Sequence, residues 1–136
     1  MYFGRKRTKP QSRIDSLIGA ETKISGNLSF SGGLRVDGEI IGDVVSDGGK
    51  PGTLVLSEQA RIEGAIRVSH VVINGAVTGP VYASEYVELQ AKSRVSGDVH
   101  YKTLEMHLGA VVDGKLVHQQ DDEPASVVEL KTATGN

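Results

Sequence analysis

One five-residue pattern recurs six times along the chain: an aliphatic residue, any residue, glycine, any residue and a second aliphatic residue. The six copies are centred on Gly26, Gly42, Gly64, Gly79, Gly97 and Gly114. The steps between these glycines are 16, 22, 15, 18 and 17 residues, and the longest step contains the turn-rich segment 46–53, which predicts a surface loop. A unit of this length cannot bury its own apolar side. The repeat therefore predicts a solenoid, in which each unit covers the next one.

Each unit carries more apolar alternation than the glycine motif alone. Pairs of aliphatic residues separated by one position precede the motif and begin at Leu34, Leu54, Val71, Val87 and Leu104. Together with the motif they predict about three short strands per unit. Val and Ile number 25 residues against 10 Leu and 2 Met, a balance that favours strands over helices. Because parallel crossovers are almost always right-handed, we predict an all-β, right-handed, three-sided parallel β-helix of about six windings.

Charge divides the chain into three regions. Residues 1–13 carry five basic and no acidic side chains, residues 14–118 have a net charge of −4, and residues 119–136 have a net charge of −3. We predict a disordered basic segment at 1–13, the β-helix at 14–118 and a disordered acidic and polar tail at 119–136. A positive segment on a negative body argues against a nucleic-acid-binding domain. The chain has no Cys, no apolar run that could span a membrane and no secretory signal, so we expect it in the cytoplasm.

The six motifs at their spacing, the basic segment that opens with Met1, Tyr2 and Phe3, and the polar tail resemble the bactofilins, a family of bacterial cytoskeletal proteins. The resemblance covers essentially the whole chain and implies a six-winding right-handed β-helix with disordered termini. It implies polymerisation without nucleotide into apolar filaments, whose subunits meet head-to-head and tail-to-tail. It also implies attachment to the inner face of the cytoplasmic membrane through the N-terminal segment, and recruitment of cell-wall synthesis, hydrolysis and morphogenesis proteins that set cell shape.

The two ends of a β-helix predict self-assembly from the residues themselves. Each end exposes unpaired backbone groups above an apolar core, and such strand edges pair with further strands unless they are blocked. The predicted N-terminal face consists of Ile18, Ile24 and Leu28. The predicted C-terminal face consists of Leu104, Met106, Leu108, Val112, Leu116 and Val117. The alternative is that Val127, Val128 and Leu130 fold back as a cap.

The N-terminal segment combines aromatic and basic side chains, as membrane-binding segments do. The residues predicted to bind an anionic membrane surface are Met1, Tyr2, Phe3, Arg5, Lys6, Arg7 and Lys9. Each basic residue near such a surface contributes about 1 kcal/mol, and a filament gains avidity from many copies. An ordinary solvated tail and a nucleic-acid-binding arm are the alternatives.

No group of residues predicts catalysis, a metal or a cofactor, and we do not expect an enzyme. The segment 109–115 has the glycine and lysine spacing of a phosphate-binding loop, but Leu116 occupies the position of the Mg²⁺-binding Ser or Thr, so we expect no nucleotide. His70, His100, His107 and His118 lack ligand spacing, although His100 and His118 are about one winding apart and are possible neighbours. Turn hydrogen bonds account for the acidic residues beside the repeat glycines, which are Asp37, Asp43, Asp98 and Asp113.

The competing hypothesis is an enzyme of the left-handed hexapeptide-repeat acyltransferase type. Ile18, Ile24, Phe30 and Val36 are six residues apart, as that repeat requires. The series then reaches Gly42 and Gly48, and the step between windings varies along the chain. The pattern therefore favours the cytoskeletal protein.

Overall fold

The computed structural model describes residues 14–46 and 50–120, which form sixteen β-strands and no helix. The strands are β1 (Ser16–Ile18), β2 (Lys23–Ser25), β3 (Leu28–Phe30), β4 (Gly32–Val36), β5 (Glu39–Ile41), β6 (Val44–Ser46), β7 (Gly52–Leu56), β8 (Arg61–Glu63), β9 (Ile66–Ile73), β10 (Ala76–Thr78), β11 (Val81–Leu89), β12 (Arg94–Ser96), β13 (Val99–Tyr101), β14 (Thr103–Met106), β15 (Val111–Asp113) and β16 (Leu116–His118). The strands lie within the predicted domain 14–118. The disorder predicted for 1–13 and for most of 119–136, and the alternative cap, lie outside the described residues.

These strands coil into six windings with three sides, and every strand pair is parallel. The first side consists of β1, β4, β7, β9, β11 and β14, the second of β2, β5, β8, β10, β12 and β15, and the third of β3, β6, β9, β11, β13 and β16. Strands β9 and β11 are eight and nine residues long because each continues around the corner between the third and first sides. The predicted parallel β-helix of six windings is confirmed, and its right-handed sense stays a prediction.

The strand register stacks side chains into four inward columns, which are apolar except for Ser16 at the start of the fourth. One column consists of Leu28, Val44, Ile66, Val81, Val99 and Leu116. The second consists of Ile24, Ile40, Ile62, Val77, Val95 and Val112, and the third of Ile18, Val36, Leu56, Ile73, Leu89 and Met106. The fourth consists of Ser16, Leu34, Leu54, Val71, Val87 and Leu104. Each column member in the four inner windings is at most 2% exposed, so the stacked columns are the hydrophobic core.

The repeat glycines lie at one corner, where successive windings approach most closely. All six have a positive φ, which is +152° at Gly64. A Cβ atom at Gly64 would overlap the carbonyl oxygen of Gly42, and the same overlap recurs at each later glycine of the repeat. Glycine is therefore required by both the backbone conformation and the contact between windings.

The predicted insertion falls at the corner between the third and first sides. Ser46 and Gly52 already belong to β6 and β7, so the loop is shorter than the predicted segment 46–53. Gly52 pairs in register with Gly32, while its N–H donates to Ser69 Oγ at 2.9 Å and its carbonyl accepts from the same hydroxyl at 2.9 Å. These bonds return the chain to the register of the other windings after the insertion.

Replacing Gly64 with Ala tests whether close approach requires the glycines. We expect a loss of at least about 3 kcal/mol in unfolding free energy, because backbone strain and the overlap with Gly42 act together. Urea denaturation followed by circular dichroism measures it. Gly26→Ala is the matched control, since Gly26 has φ +134° but no atom within 4 Å of the added Cβ. There we expect only the backbone cost of about 1–2 kcal/mol. Equal losses at both positions would contradict the explanation.

A second substitution tests the packing of an inward corner. Ser93 Oγ is buried without a hydrogen-bond partner in the described part of the chain, and Ala60 and Ala110 occupy the equivalent turn position in other windings. We expect Ser93→Ala to stabilise the fold by about 1 kcal/mol, because it removes an unsatisfied hydroxyl. Thermal denaturation measures the change. Ser57→Ala should not stabilise the fold, since Ser57 Oγ accepts a hydrogen bond from the Gln59 N–H at 3.3 Å.

Candidate functional site: the two end faces

The first and last windings have strand partners on one side only. Strands β1, β2 and β3 pair with β4, β5 and β6, and strands β14, β15 and β16 pair with β11, β12 and β13. No other described strand pairs with these six. Each end of the β-helix is therefore a three-sided ring of strand edges around the end of the core.

The N-terminal face has the three predicted residues at the ends of three inward columns. Ile18, Ile24 and Leu28 are half-buried and pack against the buried core. Two exposed apolar residues beside them were not predicted, Ile14 at 41% and Leu17 at 60% exposure. Leu17 alternates with the inward positions of β1, so it lies on the outer surface of the first winding.

The C-terminal face closes the four columns with four of the six predicted residues. Leu104 and Val112 are half-buried, whereas Met106 and Leu116 are 44% and 42% exposed. Each stacks on a fully buried residue of the preceding winding; Val99, for example, lies beneath Leu116. These side chains point inward, but no further winding among the described residues covers them.

The other two predicted residues do not lie over the core. Leu108 is in the turn between β14 and β15 and is 95% exposed at a corner. Val117 pairs in register with His100, and the alternation along β16 places it on the outer surface. Strand alternation was sufficient to separate Val117 from Leu116 in the sequence, whereas the turn around Leu108 has no comparable signal.

The outer surface changes character at the last winding. Val111 pairs in register with Arg94, Val117 with His100, and Leu108 has the turn position that Ala91 has one winding earlier. Val111, which was not predicted to belong to this face, is 46% exposed. Apolar residues thus replace polar or smaller ones around the rim of the C-terminal face.

Three of the four acidic residues beside the repeat glycines make side-chain contacts that explain them structurally, and Asp113 is not among these three. Side-chain oxygens on one winding accept hydrogen bonds from backbone N–H groups of the next. These bonds run from Asp43 N to Asn27 Oδ1 at 2.9 Å, from Ala65 N to Asp43 Oδ1 at 2.9 Å and from Lys115 N to Asp98 Oδ1 at 3.0 Å. Asp37 instead pairs with Arg35 at 2.9 Å. Asp37, Asp43 and Asp98 are therefore explained without a catalytic role.

The histidines and the glycine–lysine segment also take positions set by the repeat. His100 stacks on Tyr82 with ring centroids 4.6 Å apart, and His118 lies against Tyr101 at 5.6 Å. His100 and His118 were expected to be possible neighbours. This expectation is wrong, because they are not register partners: His118 pairs with Tyr101, and His100 pairs with Val117. The segment 109–115 contains β15, and strand β16 follows it where a phosphate-binding loop requires a helix.

The structure also brings together three residues that sequence analysis did not group. Glu88 pairs in register with Glu105, and His107 contacts both carboxylates. The available signal was the step of 17 residues from Glu88 to Glu105, which is one winding, and the i, i+2 spacing of Glu105 and His107.

The residues predicted to bind a membrane, Met1 to Lys9, lie outside the described part of the chain. Within residues 14–46 and 50–120, no helix has the length and hydropathy of a membrane span.

The family of the chain follows from its sequence similarity to known proteins. The sequence profile of a family described as "Bactofilin: Polymer-forming cytoskeletal" matches residues 16–117. The chain belongs to the bactofilin family. This bactofilin is 33% identical over 103 residues to bactofilin BacO of Myxococcus xanthus (strain DK1622), which covers 70% of the chain and 82% of BacO. No solved structure matches the chain.

A second relative is longer than this bactofilin. Bactofilin BacP of the same organism is 28% identical over 120 residues, covering 88% of the chain and 48% of BacP, so the chain spans about half of BacP's length. Bactofilins are structural proteins of the cytoskeleton and form polymers of their own subunits. Membership gives this chain the same general role.

Proposed function

We propose that this bactofilin polymerises through its two end faces into apolar filaments, without nucleotide, and that the filaments scaffold cell-wall proteins at the cytoplasmic membrane. The observation that supports polymerisation most directly is the state of the terminal windings. Both end in strand edges that have no partner among the described strands, and both expose core columns that are fully buried elsewhere.

Contacts between end faces would be of the same two kinds that join windings inside the rod, namely apolar packing and backbone hydrogen bonds. A second subunit on the C-terminal face would cover Met106 and Leu116 and would offer backbone partners to β14, β15 and β16. The rim residues Leu108 and Val111 would add apolar contacts around the ring. Burial of apolar surface contributes about 25 cal/mol for each Å². Every contribution is a packing or hydrogen-bond term, so none requires nucleotide hydrolysis.

The head-to-head and tail-to-tail arrangement makes each contact isologous, with the same face on both subunits. One column of the core gives a matched pair of probes, since it begins at Leu28 on the N-terminal face and ends at Leu116 on the C-terminal face. An arginine at either position would leave an unpaired charge in the contact.

We expect Leu28→Arg and Leu116→Arg each to reduce filaments to dimers, joined through the face that remains intact, and the double variant to be monomeric. Analytical ultracentrifugation measures the species, and circular dichroism verifies folding. A head-to-tail polymer would instead give monomers for each single variant and heterodimers when the two are mixed. Filaments of unchanged length for both would contradict end-face assembly.

Val72→Arg is the control for an added charge on the side of the rod. Val72 is half-buried on the outer surface of β9 and pairs in register with Glu88, so an arginine there gains an acidic neighbour. Filaments of this variant should have normal length. Loss of filaments would mean that lateral contacts also hold the polymer together.

Membrane attachment is proposed for residues 1–9, on the strength of their composition. Two aromatic side chains follow Met1, and four basic residues follow with no acidic residue among them. Interfacial aromatic rings and basic side chains both favour an anionic bilayer surface. One copy binds weakly, and polymerisation multiplies the contacts of each filament. This location would place bound cell-wall synthesis or hydrolysis proteins close to their site of action.

We expect deletion of residues 1–8 to leave filaments intact while abolishing their sedimentation with phosphatidylglycerol-containing vesicles. Electron microscopy verifies the filaments, and vesicle pelleting measures binding. Neutral phosphatidylcholine vesicles serve as the lipid control, and the full chain should bind them much less because the basic residues gain nothing there. Undiminished pelleting of the deleted chain with anionic vesicles would contradict the proposal.

A further inference from the structure

A cluster of one histidine and two carboxylates lies on the outer surface of the first side, across the last two windings. Glu88 is in β11 and Glu105 is its register partner in β14. The Nε2 atom of His107 is 3.1 Å from Glu88 Oε2 and 3.2 Å from Glu105 Oε2. One ligand atom from each of the three residues lies within 4.8 Å of the other two.

Two carboxylates directly opposite each other on neighbouring strands repel and need a positive charge between them. In the preceding windings this outward position is occupied by Arg35, Val55 and Val72, so the acidic pair is specific to the last two windings. A neutral imidazole has one proton at most on Nε2 and cannot satisfy both acids fully. A cation bound at the centre of the cluster would interact with all three groups.

Neighbouring side chains hold the carboxylates in place. The hydroxyl of Tyr86 donates to Glu105 Oε1 at 2.8 Å and lies 3.3 Å from Glu88 Oε1, and Gln90 Nε2 donates to Glu88 Oε2 at 3.1 Å. Glu105 Oε2 is left to point toward His107. Such outer hydrogen bonds commonly orient the ligands of a metal ion.

We propose that Glu88, Glu105 and His107 form a binding site for a divalent transition metal ion of the Zn²⁺ class. Zinc binds imidazole nitrogen and carboxylate oxygen at about 2.0–2.2 Å in tetrahedral geometry, which places neighbouring ligand atoms about 3.3 Å apart. The two distances from Nε2 are close to that separation. Calcium fits the site less well, because it takes six to eight oxygen ligands and His107 offers a nitrogen.

A metal ion bound at this site would link the last winding to the winding before it. Strand β14 is held by β11 along one edge, and it carries Leu104 and Met106 of the C-terminal face. A metal ion that joins Glu88 to Glu105 and His107 would add a bond across that edge. The site therefore stiffens the end of the rod, whether or not that end binds another subunit.

Equilibrium dialysis of the full chain against buffered Zn²⁺ tests the site in any assembly state. We expect one ion per chain, and at least tenfold weaker binding for His107→Asn and for Glu105→Gln. Glu105 and His107 are both exposed, so these variants should fold, which circular dichroism verifies. His100→Asn is the matched control, because His100 stacks on Tyr82 outside the cluster, and its binding should be unchanged. Binding within twofold of the original chain for both cluster variants would overturn the proposal.

Amide hydrogen exchange gives a second and independent readout. We expect Zn²⁺ to slow exchange in β14 at least tenfold in the original chain and to have no effect in His107→Asn. If a protonated imidazole alone holds the two carboxylates, Zn²⁺ will leave exchange unchanged in both, and the proposal fails.

Discussion

The close approach of the backbone at the glycine corner is the constraint on which the rest of the structure depends. At each winding after the first, the repeat glycine lies over the carbonyl oxygen of the glycine before it, with no room for a Cβ atom. This contact holds successive windings at the spacing of hydrogen-bonded strands, which is about 4.8 Å. The parallel register then follows, and with it the alignment of four apolar columns. Valine and isoleucine suit those columns because each stacks on a similar branched side chain.

Each inner winding is covered by a neighbouring winding on both sides. Among the described residues, the first and last windings are covered on one side only. The inner windings bury their column residues almost entirely, whereas the terminal ones leave Met106 and Leu116 more than two-fifths exposed. Apolar residues also replace Arg94 and His100 on the outside of the last winding. The two observations concern different surfaces, and both fit an end that is covered in the assembled state. The proposed end-to-end assembly would continue the stacking that each winding already has with its neighbours.

Much of the fold was predictable from the sequence, because particular positions of the repeat require particular residue types. Glycine at a fixed corner and β-branched residues on either side specify the number of windings, and in the structure Leu28, Ile24 and Ile18 lie at the ends of three columns. The irregular steps of 15 to 22 residues did not obscure the pattern, since extra residues are accommodated at corners.

Other features depend on information that the repeat does not contain. Leu108 lies in a turn, and the turn sets its orientation. The equivalent position is Ala91 in one other winding and Glu58 in another, so the residue type at this corner varies. Val117 differs from Leu108, because it was assigned to the C-terminal face although alternation from Leu116, which the sequence shows, places it on the outer surface. The cluster of Glu88, Glu105 and His107 was missed because its members are distant in sequence and become neighbours only when the exact register is known.

The corner between β6 and β7 is a suitable position for a label on the polymer. Strand β6 ends at Ser46 and strand β7 begins at Gly52, whose position is fixed by hydrogen bonds to Ser69. Closing a longer loop costs only about 0.6 kcal/mol for each doubling of its length. A peptide tag or small fluorescent domain grafted between these points would project sideways, away from both bases of the prism. In the proposed filament, such a label would lie on the side of the rod and leave both end faces unmodified.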